Sequence, residues 1–278
     1  MIVTYLTKGL SWKCDYVATL SEDDKYMDIT SWVTLTNNTD MTFENTKLKL
    51  VAGDVNQVTP SYNKYVEYEY LSLSVAYDAA FVEKSFADYH LYTMQHATTI
   101  KSNQTKQVEL FSAKKVPVTK TYELSSYDSK VKAYVEFDNK EAYGLGLPMP
   151  KGIFRVSKAD TDGGLEFIGE DSIDHTAKDE NVKLLLGNAF DVTATRTLVN
   201  SVSIGSNMHE ETYEIVIKNH KDTAVEVIVT ENPGSWYNWT VITSSMNYEK
   251  INASSFKFVP TIEADESLTI KYTVRLTW

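Results

Sequence analysis

The side chains best suited to chemistry crowd one stretch of this sequence, where Glu166, Glu170, Asp171, Asp174, His175, Asp179 and Glu180 set carboxylates beside an imidazole. Such a mixture binds metal ions or moves protons as a general acid and base near neutral pH. That chemistry requires Glu170, Asp171, Asp174 and His175 to converge. In an extended strand successive side chains leave opposite faces, so Glu170 and Asp171 diverge unless a bulge or turn intervenes. The competing expectation is that Asp174 and His175 tie down a corner through hydrogen bonds to backbone while the others solvate a loop. Just upstream, Asp160, Asp162 and Gly163, with Asp171 in the twelfth place, imitate a calcium loop. The imitation fails at Leu165, where the sharp turn needs Gly, at Gly164, where an oxygen ligand is needed, and at Asp171 itself, where Glu is needed.

Elsewhere the candidates are thinner. Nucleophilic hydrolysis needs a Ser or Cys beside a base, yet there is no Gly-x-Ser-x-Gly elbow, and Cys14 sits in an apolar strand entry near Trp12 and Tyr16, the setting of a small buried hydrophobe. Neither a Walker loop nor a Gly-x-Gly-x-x-Gly turn is present to cradle phosphate. His90, flanked by Tyr89 and Tyr92, offers ring faces for a sugar, although alternation of 89–94 favours packing of one set in a core. Trp236, Tyr237 and Trp239 follow Pro233 and Gly234 in a turn-rich place, where exposed aromatics form a ligand or partner surface. Acceptor triplets for N-glycosylation begin at Asn37, Asn103, Asn238 and Asn252, a number that a chain rich in Asn, Ser and Thr reaches by chance.

The composition narrows the classes. Of 278 residues, 42% are hydrophobic and 23% charged, which is globular and excludes wholesale disorder, collagen and coiled coil. The net charge of −11 opposes binding to phosphate backbones, so nucleic acid is not an expected partner. The one cysteine can form neither an internal disulfide nor a multi-thiolate zinc site. No apolar run reaches the roughly 18 residues of a membrane span, and Met1 opens directly into a strand-like stretch with no leader, so neither membrane insertion nor self-export is expected.

The elements that must position these residues are strands. Met27, Ile29, Val33 and Leu35 alternate with Asp28, Thr30, Thr34 and Thr36, interrupted only by Trp32 on the polar face. After the turn residues Asn37, Asn38, Thr39 and Asp40, a second run sets Leu48, Leu50 and Ala52 against Lys47 and Lys49, which reads as an antiparallel hairpin. The layout returns near the C-terminus: Tyr213, Ile215 and Ile217, a turn at Asn219, His220, Lys221 and Asp222, then Val225, Val227 and Val229. Last, Leu268, Ile270, Tyr272, Val274 and Leu276 alternate with Thr269, Lys271, Thr273 and Arg275. Between these regions Phe154 and Val156 lead through Asp162, Gly163 and Gly164 to Leu165 and Phe167, a hairpin signalled by Asp-Gly. The alanine-containing stretch 76–87 reads as one short helix, after the tyrosines Tyr62, Tyr65, Tyr68 and Tyr70.

The repeated layout predicts an all-β fold of two immunoglobulin-like β-sandwich modules, 1–116 and 191–278, joined by a β-rich middle segment, 117–190, packed on its neighbours. No low-complexity linker separates them.

Several segments in one order carry a resemblance: 5–17 (YLTKGLSWKCDYV), 89–94 (YHLYTM), 106–110 (KQVEL), 147–156 (LPMPKGIFRV), 167–176 (FIGEDSIDHT), 186–192 (LGNAFDV) and 219–221 (NHK). They resemble the uncharacterised bacterial domain at the C-terminal end of mucoidy-inhibitor-type proteins, departing from it at Ala177, where proline is expected, and over 53–85. The resemblance implies longer relatives with a coiled-coil-rich or variable region ahead of this domain, often behind an export signal, and this chain as an excised piece with an added Met1. It implies no activity that transfers residue by residue. The expected function is therefore a non-enzymatic binding or assembly module of the bacterial cell envelope or exterior. Its expected partner is a protein or a glycan, self-association being the simplest case, with no cofactor and no metal. The rival is a metal-assisted or acid-base hydrolase centred on Asp174 and His175.

Overall fold

The computed structural model describes residues 8–53, 81–86, 89–160, 163–234 and 238–278. Among these the chain is all-β, and its only helical turn is the 3-10 turn Glu141–Tyr143. It forms two compact units, Met1–Thr119 with Glu136–Leu184 and Lys120–Val135 with Leu185–Trp278. The stretch 117–190 is thus shared between the units, and 120–135 belongs with the C-terminal residues.

The first unit is built on a five-stranded sheet in the order Leu165–Ile173, Gly152–Ala159, Leu10–Leu20, Tyr26–Asn37 and Gln104–Pro117. Alternation decides which side of Tyr26–Asn37 faces in: Met27, Ile29, Ser31, Val33 and Asn37 are fully buried. The join between Leu10–Leu20 and Gly152–Ala159 is parallel, with Cys14 opposite Gly152. It exists because position 152 is glycine, since a Cβ there would lie 2.2 Å from the Cys14 carbonyl oxygen. Tyr16 then stacks on Phe154 at 4.4 Å between ring centroids and donates its hydroxyl to the Pro150 carbonyl at 2.6 Å. Two small sheets complete the unit, Phe43–Thr46 with Thr98–Ile100, and Lys49–Ala52, Tyr89–Met94 and Phe81–Phe86.

The second unit has a four-stranded sheet in the order Val192–Gly205, Met208–Asn219, Ser267–Thr277 and Asn238–Ser244. A second sheet includes Thr119–Ser125, parallel to Val225–Glu231, followed by Phe256–Phe258 and Glu249–Lys250. Their facing sides form one core, in which Ile215, Ile217, Ile270 and Tyr272 meet Val225, Val227, Val229, Phe256 and Phe258. Phe256 stands edge-on to both Phe258 and Tyr272 with centroids 5.4 Å apart, the geometry that ring quadrupoles favour.

Three expectations need correction. The strand Tyr26–Asn37 does not form a hairpin with 47–52; it pairs with Leu10–Leu20 and Gln104–Pro117, while Lys49–Ala52 pairs with Tyr89–Met94. Likewise Met208–Asn219 does not pair with Val225–Glu231, but with Val192–Gly205 and Ser267–Thr277. Alternation reports which side chains face in and is silent about partners, and each of these turns carries the chain out of one sheet into another. The expected helix over 76–87 is, where described, the strand Phe81–Phe86, paired in register with Tyr89–Met94; its β-favouring Phe81, Val82 and Phe86 outweigh the alanines around them. The Asp-Gly hairpin does form between Gly152–Ala159 and Leu165–Ile173, with Gly163 at φ 84°.

The two corrected turns are built alike. Asn37 and Asn219 are both fully buried and end their strands opposite Leu10 and Val192. Each side-chain oxygen accepts the N–H two residues on, from Thr39 at 3.0 Å and from Lys221 at 3.1 Å. Each amide nitrogen donates to the carbonyl four residues on, Met41 or Thr223, both at 2.8 Å. Each also donates to a distant carbonyl just before the third strand, Lys101 at 2.8 Å or Glu263 at 3.0 Å. That strand follows a left-handed residue in both places, Asn103 at φ 52° and Asp265 at φ 55°. The same three-stranded frame with its asparagine corner is therefore present twice.

Candidate functional site

The polar cluster lies on an edge strand and the corner that follows it. Cross-strand pairing sets Glu170 opposite Arg155 and Asp171 opposite Phe154, so the two carboxylates leave opposite faces. On the outer face Arg155 bridges two carboxylates, with Nε 3.6 Å from Glu170 Oε2 and Nη1 3.4 Å from Asp15 Oδ1. Asp15, only 5% exposed, is also held by Lys13 at 3.1 Å and by the Thr34 hydroxyl at 3.2 Å. Glu170 thus belongs to an ion network on a sheet face. Asp171 accepts the Ser172 N–H at 2.8 Å.

Asp174 and His175 are adjacent in sequence but open onto different hollows. Asp174 lines one with Lys13, Lys151 and Ser172. His175 lines another of about 200 Å³ with Gly53, His90, Tyr92, Pro148 and Met149. The His175 Nδ1 accepts the Lys151 N–H at 3.2 Å, a backbone tie that holds the ring at the corner where Met149 and Thr176 exchange backbone hydrogen bonds. This corner rests on a third buried asparagine, Asn139, whose amide nitrogen donates to Leu147 at 2.7 Å and to Ala177 at 2.9 Å while its oxygen accepts from Gly146. Among the described residues, no three of His, Cys, Asp and Glu come together as metal ligands.

What the fold does bring together is His175 and His90, in one cleft. His90 Nδ1 lies 2.8 Å from Glu83 Oε1, so the carboxylate holds the proton on Nδ1 and leaves Nε2 as the acceptor. His175, accepting at Nδ1, carries its proton on Nε2 when neutral. When neutral, the two rings therefore carry opposite tautomers. Tyr92 is core and not a sugar platform: it is 2% exposed, burial pushes its hydroxyl well above the usual phenol range, and the hydroxyl donates to the Pro148 carbonyl. Tyr89 holds its place in the strand backbone. Glu83 is invisible to a helical reading of 76–87; read as a strand, Phe81 and Glu83 alternate with Val82 and Lys84.

Cys14 is buried, with Sγ 3.1 Å from the Ser31 hydroxyl, and burial pushes its thiol up, away from the nucleophilic thiolate. In the aromatic turn Trp236 and Tyr237 lie outside the described residues, as does Asp162 of the calcium-like loop. Trp239 is half-buried against Phe256 at 5.2 Å, donates its indole N–H to Ala253 at 2.7 Å, and carries the Lys250 ammonium 4.7 Å above its ring.

One polar constellation in the second unit was legible and missed. Glu231, 1% exposed, accepts from Arg196 Nε at 3.0 Å and Nη2 at 2.8 Å and from the Tyr272 hydroxyl, while the Arg196 guanidinium lies 3.7 Å from the Tyr213 ring centre. Continuing the alternation of Val225, Val227 and Val229 puts Glu231 on the buried face, and a buried carboxylate needs a cation. With Glu231 buried and Arg196 partly exposed, this pair ties one sheet to the other.

No curated protein matches the chain. The family described as "Domain of unknown function (DUF4139)" matches residues 1–277, and the chain belongs to that family.

Proposed function

We propose that the chain is a non-enzymatic binding or assembly module of the bacterial cell envelope or exterior. Its partner, a protein, is met at a sheet edge. The observation that carries this reading is Val192–Gly205, a strand of 14 residues at the edge of its sheet whose stretch 197–205 is exposed throughout. Edges of this kind present unpaired N–H and C=O groups to a partner strand. The envelope setting draws on the resemblance to exported relatives of the mucoidy-inhibitor type. The turn of Trp236, Tyr237 and Trp239 is the second surface of this reading, for a glycan or a protein. The test is retention of glycans and of proteins from bacterial envelope extracts on the immobilised chain, with wild type, Val202→Lys and Trp239→Ala. Equal retention by all three, or by none, ends this reading.

The cleft of His90 and His175 favours a second reading, an acid-base hydrolase in which the partner of His175 is His90, held by Glu83, in place of Asp174. Hydrolysis of an ester or glycoside panel, abolished in both His90→Gln and His175→Gln, would establish it; activity that survives both would sink it.

A further inference from the structure

The two three-stranded frames differ at one edge. In the first unit the strand Leu10–Leu20 is internal, because Gly152–Ala159 adds to its outer side from Cys14 to Leu20. In the second unit Val192–Gly205 holds the same place, with Val192 opposite Asn219 as Leu10 is opposite Asn37. There, among the described residues, no strand pairs with the outer side. Along this open edge Leu198, Val199, Val202 and Ile204 are 47%, 44%, 45% and 49% exposed.

Lysine, proline and solvent-facing charge are missing from this edge. Proteins close open edges with such residues, with inward-pointing charges or with bulges. The outer strands of the first sheet follow the rule: Leu165–Ile173 carries Glu166, Glu170 and Asp171, and Gln104–Pro117 carries Lys106, Glu109, Lys114 and Lys115. Val192–Gly205 has a single ionisable side chain, Arg196, and it is turned inward onto Glu231. Register shifts after Leu198 and Ser203 bend the strand without putting a charge on it. On the neighbouring strand Glu210 is already paired with Arg275 at 2.6 Å.

We infer that the edge Val192–Gly205 binds the same strand of a second copy of this chain, antiparallel, in a two-fold dimer. The inference rests on the binding reading above and names its partner. In a chain of net charge −11, most surfaces repel their own copies. An uncharged strand facing itself buries apolar side chains against one another, satisfies backbone groups on both sides and confronts no like charges. Pairing with the other edge of the same sheet, Asn238–Ser244, offers only 7 residues against 14 and would propagate without closing, whereas self-pairing uses up both edges at once.

The test is the solution mass of the full chain across a concentration series, for wild type and Val202→Lys, with amide hydrogen exchange over 197–205. Wild type is expected to dimerise, with exchange in 197–205 slowing as the dimer forms. Val202→Lys, at a half-exposed site, is expected to keep the wild-type melting temperature while weakening dimerisation by about a hundredfold or more, since each copy then carries an unpaired ammonium into the apolar seam. A wild-type dimer that Val202→Lys leaves intact, or that leaves 197–205 unprotected, overturns the inference. So does a wild-type chain that stays monomeric. If that monomer retains an envelope protein through an interaction lost in Val202→Lys, the binding reading survives with a different partner; if it retains nothing, both fall.

Discussion

At equivalent places the two frames answer the same packing problem with opposite chemistry. Cys14, opposite Val33, reaches diagonally to the Ser31 hydroxyl; Arg196, opposite Ile215, reaches diagonally over the Tyr213 ring. The first site is closed from outside by a parallel strand, so a small neutral pair fills it. The second is open on that side, and a long side chain crosses to a carboxylate on the facing sheet, Glu231. The corners themselves are interchangeable, down to the αL residue before the third strand, although the chain between asparagine and distant carbonyl is longer in the first, 64 positions against 44. A backbone frame set by a few buried amide bonds therefore tolerates a neutral or an ionic interior, and the covering of its edge decides which.

The sharpest break of this comparison is at Glu231. Glu231→Ala leaves the Arg196 guanidinium without its carboxylate and should destabilise the second unit by about 3–5 kcal/mol, read as an early unfolding transition in denaturant. An unchanged transition would mean that the pair is solvated. Next comes Gly152→Ala, which drives a Cβ against the Cys14 carbonyl and should cost the upper part of the roughly 1–3 kcal/mol typical of overpacking. Because it loosens the strand that closes the first frame, it should also raise association at high protein concentration, measurable by light scattering.

Asn37→Ala and Asn219→Ala test whether the corners are equivalent. Each strands buried carbonyls, at about 1–3 kcal/mol per unpaired group, and the two losses should be similar. A large loss in one and none in the other would refute the shared frame. Alkaline pH gives a smaller effect. Burial raises the Cys14 thiol and the Tyr16 hydroxyl, so the folded state holds these protons more tightly than the unfolded chain. Their contribution is complete below the ordinary thiol value of 9.0 and is lost as pH climbs through the raised values, so unfolding free energy should fall above about pH 9 in wild type and less steeply in Cys14→Ala. Smallest is His175→Ala, which removes one acceptor from the exposed Lys151 N–H and should lower stability by about 0.5–1.5 kcal/mol.

The interior of this protein was written in its alternation. Met27 to Leu35 and Leu268 to Leu276 declare their buried faces, because a one-residue slip would expose every apolar side chain at once. The same rule, carried one step past Val229, exposes Glu231 as a buried charge. The asparagines stood in the open as turn residues, yet nothing local says that their amides reach carbonyls dozens of positions away. Strand partners were also beyond a local pattern: pairing is set by which edges meet after the chain has turned a corner, and by a clearance such as the one Gly152 provides. The candidate site divides in the same way. That Glu170 and Asp171 would splay follows from strand geometry alone, whereas the sharing of one cleft by His175 and His90, from segments far apart in sequence, and the bare edge of Val192–Gly205 were decided only when the chain folded, since convergence and exposure belong to the assembled surface and to no single segment.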